Sequence, residues 1–374
     1  MYHKYVKVLL VFTFDYSLET WKTSGTLEKE LKPYKLLNEL KNIEFIFVTY
    51  GDKNDKSIET KIKNLKIIPV YEIINKTNSK FINYFKSFFL PFILKNQLKE
   101  VDIIKQNQLL GSWVSIILKQ ILKKPLMVRT GYDMYEFSIY ENKKWIIKKL
   151  YKLLTLVSLK SSDIYTVSSD SDKNFLRNEF KNENVLVRPN WVSNHEYYAY
   201  DKRFKDKIIT VGRLENQKNF QYLIKSFRNT DFEIDIIGYG SQKNMLEIFA
   251  KDHNVKVNFL DQLNNNEILE HLKKYKYYIS TSTFEGNPKS VLEALSVGCV
   301  VFASDIKNHK ELINDGVNGF LYNINDDNLR EVFLKNYKKE DLANISINAK
   351  KNIYETNSIE KFIEVENSDF LNLL

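Results

Sequence analysis

Strand-like and helix-like stretches alternate along almost the whole of this chain, and that alternation restricts the fold more than any other feature. In the first half, short apolar runs rich in Val, Ile and Phe fall at 6–14, 44–49, 66–69, 102–105, 126–129 and 164–167. Between them, apolar residues recur at helical spacing over 26–40, 79–98, 112–122 and 143–159. The second half repeats the pattern, with strand-like runs at 207–212, 232–238, 255–260, 275–281 and 299–303 and an Asn318-Gly319-Phe320 turn. Alternation of this kind predicts parallel sheets covered by helices on both faces. The 374 residues suffice for two such units with full cores. The expected architecture is two parallel-sheet domains facing each other across a cleft. Periodicity lapses at 189–203, which sets expected boundaries of 1–190 and 191–358.

Other classes are disfavoured by what the chain lacks. Its single cysteine, Cys299, lies in an apolar run and reads as a core residue of a protein in a reduced compartment. The five histidines, at 3, 195, 253, 271 and 309, are scattered without metal-ligand spacing and read as structural or surface residues. The run at 6–14 ends at Asp15 with no small-residue cleavage site, so it reads as a buried strand rather than a leader. The longest apolar candidate, 81–98, is broken by Lys86, Pro91 and Lys95, short of the roughly 18 residues a membrane span needs.

Two glutamates carry the chemistry. Glu285 and Glu293 stand eight positions apart in Phe-Glu-Gly-Asn-Pro-Lys-Ser-Val-Leu-Glu-Ala-Leu. Pro288 suits the first turn of a helix, the spacing of Val291, Leu292 and Leu295 is helical, and Gly298 can end it. Glu285 is then in a tight loop before the helix, and Glu293 about a turn inside it. Carboxylates flanking a helix N-terminus suit a ligand with both phosphate and hydroxyls, such as a nucleotide sugar. Spacing alone equally fits a capped helix with two solvated acids. Arg213 and Lys218 follow the strand at 207–212, at the carboxyl end where open α/β sheets bind ligands.

The segments VGRLENQKNFQYLIKSF, DIIGYG, FLDQLNNNEILEHLKKYKYYISTSTFEGNPKSVLEALSVGCVVFASD and ELINDGVNGFLYN resemble the donor half of GT4-type retaining glycosyltransferases, over about residues 185–330. Their Glu-x7-Glu hallmark is matched by Glu285 and Glu293. Weaker similarity covers 101–131, 166–176 and 187–192. The resemblance implies a GT-B fold of two Rossmann-like domains, with a last helix at about 359–374 crossing back onto the first. It also implies that Glu293 holds ribose hydroxyls, and that Glu285 with Gly286, Asn287, Pro288, Lys289, Ser290 and Val291 holds the donor sugar and diphosphate, with Gly212 on the same side. Arg213 and Lys218 would take the leaving diphosphate in place of a metal. No metal or cofactor is expected, the nucleotide sugar being a co-substrate. The backbone around Leu263 would meet the base, although Asp261 stands where the family usually has glycine.

The first half departs further from the family pattern. In place of a Gly-Gly loop after the first strand there is only Ser24-Gly25, and Gly25 is the candidate for backbone approach to a phosphate. No histidine follows 126–129; either Arg129 or Asp133 takes part of that role, or the role is dispensable.

Charge is uneven. Residues 1–190 hold 32 Lys and Arg against 20 Asp and Glu, whereas 191–374 hold 24 against 27. The basic excess of the first half suggests an anionic partner. The lysine-rich amphipathic pattern at 143–159 suggests peripheral attachment to the inner face of a membrane, with the protein otherwise cytoplasmic. The aromatic pattern at 79–98 reads instead as packing on the sheet. The function expected is sugar transfer from a nucleotide-diphosphate sugar to a glycan or lipid-linked saccharide in cell-surface polysaccharide synthesis. The alternatives are a sugar-nucleotide epimerase on the same fold and a non-catalytic glycan-binding protein. Nucleic acid is not an expected partner, because the basic excess shows no aromatic-interleaved RNA motif.

Overall fold

The computed structural model describes residues 5–182 and 184–374, which leaves His3 outside the described residues. The chain divides into two compact units, residues 1–189 with 360–374 and residues 190–359.

The first unit begins β1 (Val6–Val11), α1 (Leu18–Thr23), α2 (Leu27–Lys41), β2 (Ile43–Thr49) and β3 (Lys66–Pro69). It continues α3 (Lys80–Ser87), α4 (Leu90–Leu94), β4 (Ile103–Asn107), α5 (Ser112–Leu122) and β5 (Leu126–Arg129). Then come α6 (Met134–Tyr140), α7 (Trp145–Ser161), β6 (Ile164–Val167), α8 (Asp170–Phe180) and β7 (Val185–Val187). All seven strands are parallel, in the order β3-β2-β1-β4-β5-β6-β7. Strands covered by helices on both sides have little solvent face, which is why 6–11 and 43–49 read as near-continuous apolar runs, broken by Lys7 and Glu44 near their starts.

The second unit holds β8 (Phe204–Val211), α9 (Phe220–Ser226), β9 (Glu233–Ile237), α10 (Lys243–Asp252), β10 (Val257–Leu260) and α11 (Asn265–Leu272). It continues β11 (Tyr275–Ser280), α12 (Lys289–Ser296), β12 (Val300–Ser304), α13 (Lys307–Lys310), β13 (Phe320–Tyr322), α14 (Leu329–Asn336) and α15 (Leu342–Asn357). Its six strands are also parallel, ordered β10-β9-β8-β11-β12-β13. The expected α/β class of two parallel-sheet, Rossmann-like domains holds. The Asn318-Gly319-Phe320 turn leads into the edge strand β13, which the sequence reading took only as a turn.

The last helix, α16 (Ile359–Leu371), packs into the first unit through charge as well as apolar contact. Lys105, in the middle of β4 and fully buried, pairs with the equally buried Glu366. Arg188 grips Asp369 with two 2.7 Å hydrogen bonds. Removing one partner of a buried pair strands a charge, at about 3–5 kcal/mol, so these pairs hold α16 in one register.

One expectation about packing holds only in part. The pattern at 79–98 is not one helix lying on the sheet. It breaks into α3 and α4, and Phe81, Phe85, Phe89 and Phe92 are all exposed. Inside lie Asn83 and Ser87 of α3, Leu90, Pro91 and Leu94 of α4, and Leu98, with Phe88 stacked on Trp113 at 5.6 Å.

Candidate functional site

In the second sheet the strand order reverses between β8 and β11, which are hydrogen-bonded neighbours. Such a reversal opens a crevice at the carboxyl ends of the strands, because the flanking helices leave in opposite directions. The segment after β8 carries Gly212, Arg213 and Lys218, and the one after β11 carries Glu285. The topology therefore brings together groups far apart in sequence.

The two segments are tied by backbone and side-chain bonds. Thr283 N–H donates to Gln217 O (2.9 Å), Gln217 Nε2 to Phe284 O (2.8 Å), and Thr281 Oγ1 to Lys218 O (2.7 Å). These bonds place Lys218 Nζ 2.5 Å from Glu285 Oε1, with both side chains at most 15 % exposed. Burial by itself would raise the Glu285 carboxyl, but the charge and hydrogen bond of Lys218 hold it below the ordinary carboxylate value. Gly212 makes room for the pair, since a Cβ there would lie 2.9 Å from Lys218 Cε. Gly238, at φ +151°, lets β9 approach: a Cβ would meet Gly212 O at 1.9 Å. Arg213 is exposed beside them.

Helix α12 starts just after Glu285. Pro288 occupies its N-cap position and offers no side-chain acceptor, so it leaves the leading N–H groups uncapped by its own side chain. Lys289 is exposed, while Ser290 and Asn287 are half-buried; Asn287 O accepts from Asn190 Nδ2 at 3.3 Å. Gly286 and Val291 are buried. Glu293 lies a turn inside and is buried, with Asn265 Nδ2 of α11 donating to Oε1 at 2.7 Å. It is therefore an oriented carboxylate, which excludes two solvated acids as the account of this motif. Asp261 is exposed and pairs with Lys243 at 2.7 Å, and Leu263 packs on the core beside α12.

His309 was passed over by the sequence reading as a scattered histidine. It is fully buried in this unit, with Nδ1–H donating to Ser304 O at 2.8 Å and Nε2 3.4 Å from Ser280 Oγ. Burial pushes it down to about 4, against the pull of Glu285, so it is neutral. Nothing in its local sequence signalled this, because Ser280 belongs to the neighbouring strand.

The first-unit candidates come out differently. Asp133 is fully buried: one oxygen caps α6 by accepting from Glu136 N–H (2.8 Å), and the other accepts from Thr155 (3.1 Å). Burial raises it to about 6. It is a helix cap under α7, not a solvent-facing acid or base. Arg129 is half-buried, 4.9 Å over the Phe362 ring and 3.4 Å from Pro189 O; burial lowers it to about 10. Gly25, at φ 71°, turns the chain between α1 and α2 and donates its N–H to Lys22 O. That N–H is already engaged. The leading N–H groups of α1 at Leu18 and Glu19 go to the buried carboxylate of Asp55, so the chain itself fills the anion position there. Among the described residues no three His, Cys, Asp or Glu side chains converge as a metal site.

Residues 201–352 match the family model described as glycosyl transferases group 1. The second unit carries the group 1 glycosyltransferase pattern. A Campylobacter jejuni relative, an N-acetylgalactosaminyltransferase whose name gives a diphospho-undecaprenol-linked saccharide, is 30% identical over 145 residues, 38% of this chain and 40% of that protein. The chain thus spans well under two thirds of that relative. A capsular polysaccharide biosynthesis glycosyltransferase of Staphylococcus aureus is 26% identical over 82% of this chain and 83% of its own length. In fold, the chain is similar to a sucrose-phosphate synthase of Thermosynechococcus elongatus, with a TM-score of 0.81 at 13% identity, covering 98% of this chain and 99% of that one. The group 1 match ends at 352 and includes Arg213, Lys218, Glu285, Glu293 and His309.

Proposed function

We propose that this protein is a retaining, metal-independent glycosyltransferase of the GT4 type. It moves a sugar from a nucleotide-diphosphate sugar to a glycan or lipid-linked saccharide in cell-surface polysaccharide synthesis. The observation that carries this reading is the Lys218–Glu285 pair at the switch point between β8 and β11, ahead of α12.

The chemistry follows from charge. As the glycosidic bond to phosphate breaks, the leaving diphosphate gains negative charge. Lys218 and Arg213 supply positive charge where the nucleotide lies, and the leading N–H groups of α12 add a partial positive end. Glu285, kept ionised by Lys218, accepts hydrogen bonds from sugar hydroxyls, and the Gly286–Val291 backbone lines the diphosphate. Glu293, aimed by Asn265, accepts from both ribose hydroxyls. The named activities of the Campylobacter and Staphylococcus relatives favour transfer over epimerisation or passive glycan binding. A lipid-linked acceptor fits a protein held at the inner face of a membrane by the exposed lysines of α7. No helix among the described residues is long and apolar enough to cross one.

The test is hydrolysis of a nucleotide-sugar panel by the purified protein, with and without chelator. One donor is expected to be hydrolysed at an unchanged rate in chelator. Glu293→Ala is expected to weaken nucleoside diphosphate binding by about 1.5–3 kcal/mol in calorimetry, the loss of a charge-assisted hydrogen bond. Absence of both hydrolysis and nucleoside diphosphate binding sinks the reading. Epimerised donor without transfer replaces it with the epimerase, and a strict divalent-metal requirement removes metal independence.

A further inference from the structure

Helices α7 and α3 of the first unit bury polar side chains while turning apolar ones outward, and α4, which buries Leu90, Pro91 and Leu94, continues the exposed aromatic face. In α7 the buried side chains include Thr155 and Ser158, which bond to Asp133 (3.1 Å) and Ser112 (2.9 Å). Its outward stripe is Ile146, Leu150, Leu153 and Val157, joined by Trp145, at 40–67% exposed. That spacing places the four aliphatic residues along one helical face. In α3 the buried side chains are Asn83, bonded to Thr77, and Ser87, which accepts from Trp113 Nε1 at 2.8 Å. Outward on α3 and α4 point Phe81, Phe85, Phe89, Phe92 and Ile93, at 47–70% exposed. A water-facing helix has the reverse arrangement. Helix α4 packs on α5 and α5 on α7, so both segments belong to one layer over the sheet.

The same segments are purely cationic. Residues 73–99 contain five lysines and 143–160 contain six, and neither contains an aspartate or glutamate. Three of these lysines pair with acids from elsewhere in the unit: Lys80 with Asp15, Lys143 with Glu141 and Lys152 with Glu179. Exposed rings and aliphatic side chains framed by lysine, with no acid among them, complement a surface that is anionic outside and apolar a few ångströms below.

We propose that this layer is a lipid-insertion face. It docks on an anionic bilayer and sinks Phe81, Phe85, Phe89 and Phe92, with the α7 stripe, into the boundary between headgroups and acyl chains. The proposal rests on the membrane attachment argued above and adds to it. Attachment needs only the lysines, whereas insertion brings in α3 and α4 and makes part of the binding resistant to salt.

The experiment uses the full chain and vesicles of equal parts phosphatidylglycerol and phosphatidylcholine. The reporter is Phe85→Trp in a Trp145→Phe background, which removes the exposed native tryptophan of the same face, read by quenching from brominated acyl chains. Quenching is expected on brominated vesicles and not on plain ones. A variant with Phe81, Phe85, Phe89 and Phe92 all changed to Ser is expected to bind at low salt. It should fall roughly tenfold or more below wild type in the fraction retained at about 0.5 M salt, where screening removes the electrostatic part. Its melting temperature should match wild type, which checks that it folds. If wild type co-sediments but Phe85→Trp is not quenched, the face only adsorbs by charge, and insertion is overturned while attachment stands. If wild type fails to co-sediment at low salt, attachment itself fails. If lipid-free wild type is a dimer by sedimentation velocity and the serine variant a monomer, a second copy covers the face and insertion is again overturned.

Discussion

Helix α12 of the second unit and helix α7 of the first both carry an apolar stripe, yet they turn it in opposite directions. In α12 the residues Val291, Leu292, Ala294 and Leu295 are buried, and the burial puts the N-terminus of the helix beside Lys218 and Glu285. In α7 the buried face is Thr155, Ser158 and Leu159, while Ile146, Leu150 and Leu153 face outward. A helix turns inward whatever the layer beneath can satisfy. Beneath α7 lie Asp133 and Ser112, which need hydrogen-bond partners more than they tolerate hydrocarbon. Both units are held by apolar cores, to which this layer contributes Leu90, Leu94, Val114, Leu118 and Leu159, but α3 and α7 also turn apolar side chains outward.

The contrast can be broken most directly with two phenylalanines. Phe302→Ala, fully buried in β12, is expected to cost about 3–5 kcal/mol in urea unfolding, while Phe85→Ala, exposed on α3, should change stability by less than about 0.5 kcal/mol. Equal costs would mean that α3 is packed and not presented.

The next effect concerns chemistry in the second unit. Arg213→Ala is expected to lower kcat by roughly 10²–10³, the scale of one lost transition-state donor. Its melting temperature should hold, because Arg213 is exposed. A variant nearly as active as wild type would remove Arg213 from the mechanism.

His309 sharpens the comparison through pH. Unfolded, its imidazole takes a proton near 6.5; folded, it resists until about 4. Between those values the unfolded state binds more protons, so the contribution of His309 to stability is complete above pH 6.5 and is lost as pH falls toward 4. The loss approaches about 3 kcal/mol. The stability difference between wild type and His309→Gln should shrink by that order over the window. A pH-independent difference would show that His309 titrates normally. Asp133, raised to about 6 in the first unit, acts with the opposite sign between its unfolded value and 6, which is why the paired variant is needed rather than the wild-type curve.

Thr155→Val gives the smallest effect and the sharpest reading of α7. The shape is kept, but the hydroxyl that Asp133 accepts from is lost, at about 1–3 kcal/mol. If valine stabilises the protein instead, the polar inner face is an accident of packing and the inside-out account of α7 falls.

Much of the scaffold was legible beforehand. The runs at 66–69, 126–129 and 164–167 coincide with β3, β5 and β6, because strands covered by helices are mostly apolar, with Lys66 and Arg129 at their ends. The first run was read to 14, whereas β1 stops at Val11; Phe12 and Phe14 continue the apolar pattern in a loop, stacking on Trp21 and packing against Trp113. By comparison with the family pattern, Gly25 reads as a candidate for backbone approach to a phosphate and Asp133 as an acceptor-side candidate. Their hydrogen bonds to Lys22, Glu136 and Thr155 are local facts of three-dimensional packing that residue type does not encode.

The sequence by itself determined the parallel α/β class, the position of the Glu285 and Glu293 motif at a helix start, and the cationic character of the first half. Each depends on short-range periodicity, local turn chemistry or a count of charges. Only the tertiary structure decided that Lys218 and Glu285, 67 residues apart, form a buried pair, because strand order sets which loops meet. Only the tertiary structure decided that His309 lies buried against Ser280 and Ser304. The outward turn of α3 and α7 was settled in the same way. Periodicity says that a helix has an apolar face, and the partners waiting in the layer below choose which face goes in.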